Sequence, residues 1–99
     1  MQSQVKQVLH FKRNEEADEL IPDLIDDMKK ETKMACPTLI TDGSRPFRIH
    51  LSSIEAGKLE VTIDLHFRIK PVGDNYHDNR QECLWAIARA VKRSKLEYA

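Results

Sequence analysis

His10, His50 and His66 are the residues of this chain whose type and placement could do chemistry. Imidazole is the commonest protein metal ligand and can act as a general base near neutral pH. All three carry the outward parity of different extended segments, so one sheet face could hold them together. The two cysteines, Cys36 and Cys83, could supply thiolates. Cys36 precedes Pro37 in a loop-like stretch, where a thiol could be exposed, but nothing local would lower its pKa and it reads as incidental. Cys83 falls in the apolar stripe of a helical segment and reads as a small core residue. The familiar catalytic arrangements do not occur. The three glycines stand apart, so no loop cradles a phosphate, and there is no nucleophile elbow, no metal-spaced histidine pair and no Cys-x-x-Cys. The expectation is a protein that is not an enzyme, with no catalytic, cofactor-binding or metal residues to name.

Whether the histidines can meet depends on the elements that carry them. Lys58 to Lys70 alternates almost without fault, with Leu59, Val61, Ile63, Leu65, Phe67 and Ile69 on one side and Glu60, Thr62, Asp64, His66, Arg68 and Lys70 on the other. That is a long half-buried strand. Phe47, Ile49 and Leu51 alternate with Arg48, His50 and Ser52 in a second strand, joined to the long one through a loop at Ile54 to Lys58. Gln4 to Lys12 reads as an earlier strand, although Gln7 and Val8 blur its pattern. Two segments change to helical period: Ala17, Leu20, Ile21, Leu24, Ile25 and Met28, then Tyr76, Arg80, Cys83, Leu84, Ile87 and Val91. Pro22 predicts a kink in the first helix, or a start there, and Asp74 or Asp78 is expected to cap the second. Lys33 to Pro46 is mostly loop, with a short extended piece at Thr38 to Thr41. Leu96 and Tyr98 suggest a last short strand. The fold class is therefore α+β: a two-layer sandwich in ferredoxin-like β-α-β-β-α(-β) order, a small mixed sheet with two helices on one face, and a single domain over 1-99.

Keeping core residues on one side of the hairpin requires an antiparallel register that pairs Leu51 with Val61, Ile49 with Ile63 and Phe47 with Leu65. His50 then opposes Thr62, about 13 Å along the strand from His66 at ~3.3 Å per residue. Zinc ligands each lie within ~2.1 Å of one ion, so a shared metal is not expected. The same register sets Arg48 opposite Asp64 and leaves Arg68 and Lys70 free. The outward face is moderately basic, with Lys6, Lys12, Arg48, Arg68 and Lys70 against Glu60 and Asp64. Open sheets of this topology can stack single-stranded RNA on aromatic platforms, but Phe11, Phe47 and Phe67 all have inward parity. A free-standing binding module for RNA or a regulatory ligand is thus the alternative reading.

Composition excludes further classes. The chain has 99 residues, 40% hydrophobic and 32% charged, with zero formal net charge, which argues against a disordered tail or a strongly basic nucleic-acid protein. An acidic stretch from Glu15 to Asp27 and a basic one from Arg80 to Lys95 read as two solvated helix faces. Two distant cysteines make no disulfide framework, and no apolar run approaches the roughly 20 residues of a membrane-spanning helix.

Several phrases, in order, resemble one family. ELIPDLIDDMKKE is similar to the first helix of the C-terminal α/β domain of MscS-like small-conductance mechanosensitive channels, LEVTIDLHFRIK to its long strand, and DNYHDNRQECLWAIARAVKRSKLEYA to its second helix and Ile-Glu-aromatic ending. The resemblance runs from about Val5 to Ala99. It implies the soluble domain of an ion-transport channel, excised from a larger membrane protein whose upstream helices hold the gate. It further implies a homo-oligomer, a heptamer in the family, forming a vestibule that filters ions and solutes on the cytoplasmic side of the membrane, or in the organelle interior if the parent is organellar. No nucleic acid is implied as a partner. Arg48, His50, Asp64, His66, Arg68 and Lys70 are the candidate vestibule or partner face.

Overall fold

In the computed structural model, which describes residues 3–70 and 72–99, five elements follow the expected order: β1 (Ser3–Lys12), α1 (Ala17–Ala35), β2 (Arg48–Ile54), β3 (Lys58–Phe67) and α2 (Gly73–Ser94). β3 is the central strand, in the order β1-β3-β2. Its strict alternation explains why. Only a strand flanked on both edges and covered on one face exposes so little of Leu59, Val61, Ile63, Leu65 and Phe67, each 1% accessible or less. Burying each such side chain stabilises the fold by roughly 1.5–3 kcal/mol.

The sheet is antiparallel throughout rather than mixed. β1 pairs with β3 without interruption from Ser3↔Phe67 to Lys12↔Lys58, and β2 pairs antiparallel with the other edge of β3. β1 and β2 therefore run the same way, but the hairpin inserts β3 between them, so no parallel ladder forms. The hairpin register matches the expectation at Arg48↔Asp64, Ile49↔Ile63, His50↔Thr62 and Leu51↔Val61. It then shifts by one residue at a bulge beside Ser52, after which Ile54 faces Leu59. The loop is thereby shortened to Glu55, Ala56 and Gly57, closed by the Glu55 N–H donating to the Lys58 carbonyl at 2.9 Å.

Two further segments complete the sheet. β3 outruns β2 at its C-terminal end, and the vacant edge is taken by 38–40: Leu39 bridges Phe67, Ile40 N–H donates to the His66 carbonyl at 2.9 Å and Arg68 N–H to the Thr38 carbonyl at 2.8 Å. Leu39 and Ile40 are buried, and Thr38 Oγ1 donates to Asn79 Oδ1 at 2.7 Å, tying this piece to α2. On the far edge Tyr98 bridges Phe11 in antiparallel sense and stacks on its ring at 5.4 Å. The expected last strand is this single bridge.

α1 starts at Ala17, five residues before Pro22, not at the proline. Asn14 Oδ1 accepts from the N–H groups of Glu16 and Ala17, satisfying one of the donors that a first turn leaves open, and Asp18 and Glu19 favour the positive end of the helix dipole. Buried Thr32 returns its hydroxyl to the Met28 carbonyl at 2.9 Å, so a polar residue sits in the core without an orphan donor. α2 has no side-chain cap, contrary to the expectation for Asp74 or Asp78. It ends at Lys95, whose φ of 65° is the left-handed conformation that stops helices.

The oppositely charged stretches are solvated over most of their length, Glu15, Glu16, Glu19, Asp23, Asp26, Lys92 and Lys95 being exposed, but they meet at one point. Arg93 reaches from α2 to Asp27 on α1 through Nε (3.1 Å) and Nη2 (2.8 Å), and to Glu31 at 2.7 Å, while Arg89 lies 3.5 Å from Glu31. Cys36, a thiol that the loop could have left exposed, is buried beside Cys83. The neighbouring Cys36 sulfur, and then burial, push the Cys83 thiol up.

Candidate functional site

Even-numbered residues of β1 and β3 and the facing residues of β2 form the sheet surface away from the helices. Its rows follow from the registers. Lys12 stands beside Lys58; His10 beside Glu60; Val8, Thr62 and His50 share a row; Lys6, Asp64 and Arg48 share the next; Gln4 and His66 share the last. The three histidines therefore occupy three different rows, each backed by a different neighbour. Among the described residues no group of three histidine, cysteine, aspartate or glutamate side chains is placed to hold a metal ion.

The six candidate residues divide into two sets. Asp64 and His66 are half-buried and engaged with each other, His66 Nε2 lying 3.4 Å from Asp64 Oδ1, the atom to which Gln4 Nε2 donates at 2.6 Å. The expected pairing of Asp64 with Arg48 does not form, although the two residues are cross-strand partners. Gln4 reaches diagonally from the outer strand and takes the oxygen first. Arg68 is not free either: its Nη2 donates to Asp42 Oδ2 at 2.6 Å. Ser44, through its hydroxyl and its N–H, holds the Asp42 carboxyl below the usual range, and the Arg68 charge adds to this. Arg48, His50 and Lys70 remain exposed, their side chains making no hydrogen bond or ion pair among the described residues.

The contacts of three residues on this face carried no signal in the sequence, although Ser52 itself has the outward parity. Ser52, displaced by the bulge, donates to Glu60 Oε1 at 2.9 Å and accepts from Thr62 Oγ1 at 2.9 Å, which pins the middle of the face. Gln4 and Asp42 act across 60 and 26 positions of chain and could be found only from tertiary placement. The aromatic residues lie elsewhere. Phe11 and Phe67 are fully buried, and Phe47 lies under Lys33, whose Nζ is 5.1 Å from the ring centroid. The exposed groups on the face include cations, the His50 imidazole, Gln4 and the isolated Val8, with no aromatic platform, which suits attraction of anions or screening by water rather than base stacking.

No family model and no curated protein matches the sequence. Solved structures do match in fold. Cryo-EM structures of MSL1 from Arabidopsis thaliana superimpose with a TM-score of 0.80 over 99% of this chain at 15% identity, both for MSL1 itself and for a variant. A further wild-type structure of the same protein gives 0.78 over 100% at 16% identity. This chain spans about a third of the length of those it matches, and among its described residues no helix is long and apolar enough to cross a membrane. From end to end it has the fold of about a third of MSL1.

Proposed function

We propose that this chain is the vestibule-forming domain of an MscS-like mechanosensitive channel. In this reading it assembles as a homo-oligomer, a heptamer as in the family it resembles, on the cytoplasmic side of a membrane spanned by helices outside this sequence. Its role is to build and line the passage for ions and small solutes, not to catalyse a reaction. The observation that carries the reading is the fold match over the whole chain, to about a third of a channel subunit. The exposed Arg48, His50 and Lys70 supply a face that biases the passage toward anions.

The test is electrical. Patches containing the product of the complete gene should show current that rises with membrane tension, and the double charge reversal Arg48→Glu with Lys70→Glu should move the reversal potential toward cation preference. A complete product that gives no tension-dependent current would overturn the proposal.

A further inference from the structure

The helix pair carries two apolar surfaces on opposite flanks. On α1 the side turned to α2 holds Asp27 and Glu31, occupied by Arg93 and Arg89. Its other side, with Ile21, Pro22 and Ile25, faces Leu51 and Ile54 of β2 across a groove of about 410 Å³. Ile54 is 58% exposed there. The rim is acidic, with Asp18 held by Arg13 and Asp26 without an ion partner among the described residues. On α2 the side away from α1 presents Leu84, Ala88 and Trp85, the indole 56% exposed, bordered by His77 and Arg80. Arg80 likewise has no ion partner among the described residues.

We propose that the Trp85 flank of α2 docks into the α1–β2 groove of a second copy of this chain, in a head-to-tail contact. Each half lacks what the other offers. The groove is apolar with the unpaired Asp26 carboxylate on its rim; the opposing flank is an aromatic anchor with the unpaired Arg80 guanidinium on its rim, and a complementary pair of this kind fixes register and partner. Because the two patches are different and lie on opposite flanks, one copy can use both at once. That is a heterologous interface, which closes into a ring when the rotation permits. The contact rests on the oligomeric reading above for the identity of the partner, while the complementarity of the surfaces is independent of it.

Trp85 is the only tryptophan, so its emission reports docking directly. With rising concentration of the wild-type chain, the emission should shift to the blue as the sedimentation coefficient increases. Trp85→Ala and Ile54→Asp should each weaken association roughly tenfold or more, the loss expected on removing a central anchor. Both positions are exposed, and unchanged circular dichroism and unfolding midpoints would show that the variants fold. The decisive arm mixes the two variants. Trp85→Ala keeps an intact groove and Ile54→Asp keeps an intact anchor, so the mixture should form one-to-one pairs and no larger species, with a blue shift from the single remaining indole. A chain that stays monomeric without a shift at millimolar concentration, association insensitive to Ile54→Asp, or no pairing in the mixture would each overturn the contact. Tension-gated current from an Ile54→Asp channel of unaltered assembly would remove the contact and leave the proposed function standing; docking without any current would do the reverse.

Discussion

The Ile40 N–H donates to the carbonyl of His66 at 2.9 Å, which makes the long connection between α1 and β2 a part of the sheet rather than a tether. Ile40 is fully buried. Ile40→Ala should therefore destabilise the fold by about 2–5 kcal/mol, the range for truncating a buried aliphatic side chain, as measured by equilibrium urea unfolding. A loss within ~0.5 kcal/mol, as for an ordinary surface site, would show that the segment does not hold its place.

The central strand supplies a matched pair of substitutions. Phe67→Ala on the inner face should cost about 3–5 kcal/mol. Thr62→Ala on the outer face removes one exposed hydroxyl bond to Ser52 and should cost about 1 kcal/mol or less. Equal losses would mean that both faces of the sheet are covered in the isolated chain.

Acid should loosen the helix pair. The hydrogen bond from Arg93, assisted by Arg89, holds the Glu31 carboxyl below its ordinary value of 4.5. A group whose pKa is lowered by folding contributes stability above the unfolded value and loses it as pH falls through the folded one. Melting temperature should thus decline as pH drops below about 4.5, and Glu31→Gln should lower stability at neutral pH while flattening that decline. An unaltered pH profile in Glu31→Gln would place the acid sensitivity elsewhere.

Both thiols should resist modification. Cys36 and Cys83 are buried against each other, so a thiol reagent should react slowly with the native chain and label both rapidly in denaturant. Fast labelling of Cys36 alone would indicate that the 36–40 segment opens without global unfolding.

What the sequence made legible was governed by short-range periodicity. The inward set of β3 and the pairing of Arg48 with Asp64 follow from parity alone, because a slip of one residue would turn every apolar side chain outward. The contacts of those same residues do not follow from parity. Asp64 turns to His66 and Gln4, and Arg68 to Asp42, since ion pairing depends on which side chain reaches furthest, not on which backbone lies opposite. The bulge at Ser52 had no signal, two serines fitting either face. The edge role of 38–40 was visible only as an extended stretch between Pro37 and the Asp-Gly pair; its necessity lies in β3 being ten residues long against seven in β2. The sequence left the start of α1 open between Ala17 and Pro22; Asn14, which satisfies the first turn, decides for Ala17.

The uninterrupted ladder between β1 and β3 bears on how the domain carries load. Ser3 lies at one end of that ladder and Lys12 at the other, with all ten residues of β1 paired. A pull on the N-terminal end along the strand axis is thus borne by these bonds together, in shear, instead of opening them one after another. Force applied at Ser3 along the strand would reach the core through β3 before the strand could peel away, so β1 is a stiff handle on this fold.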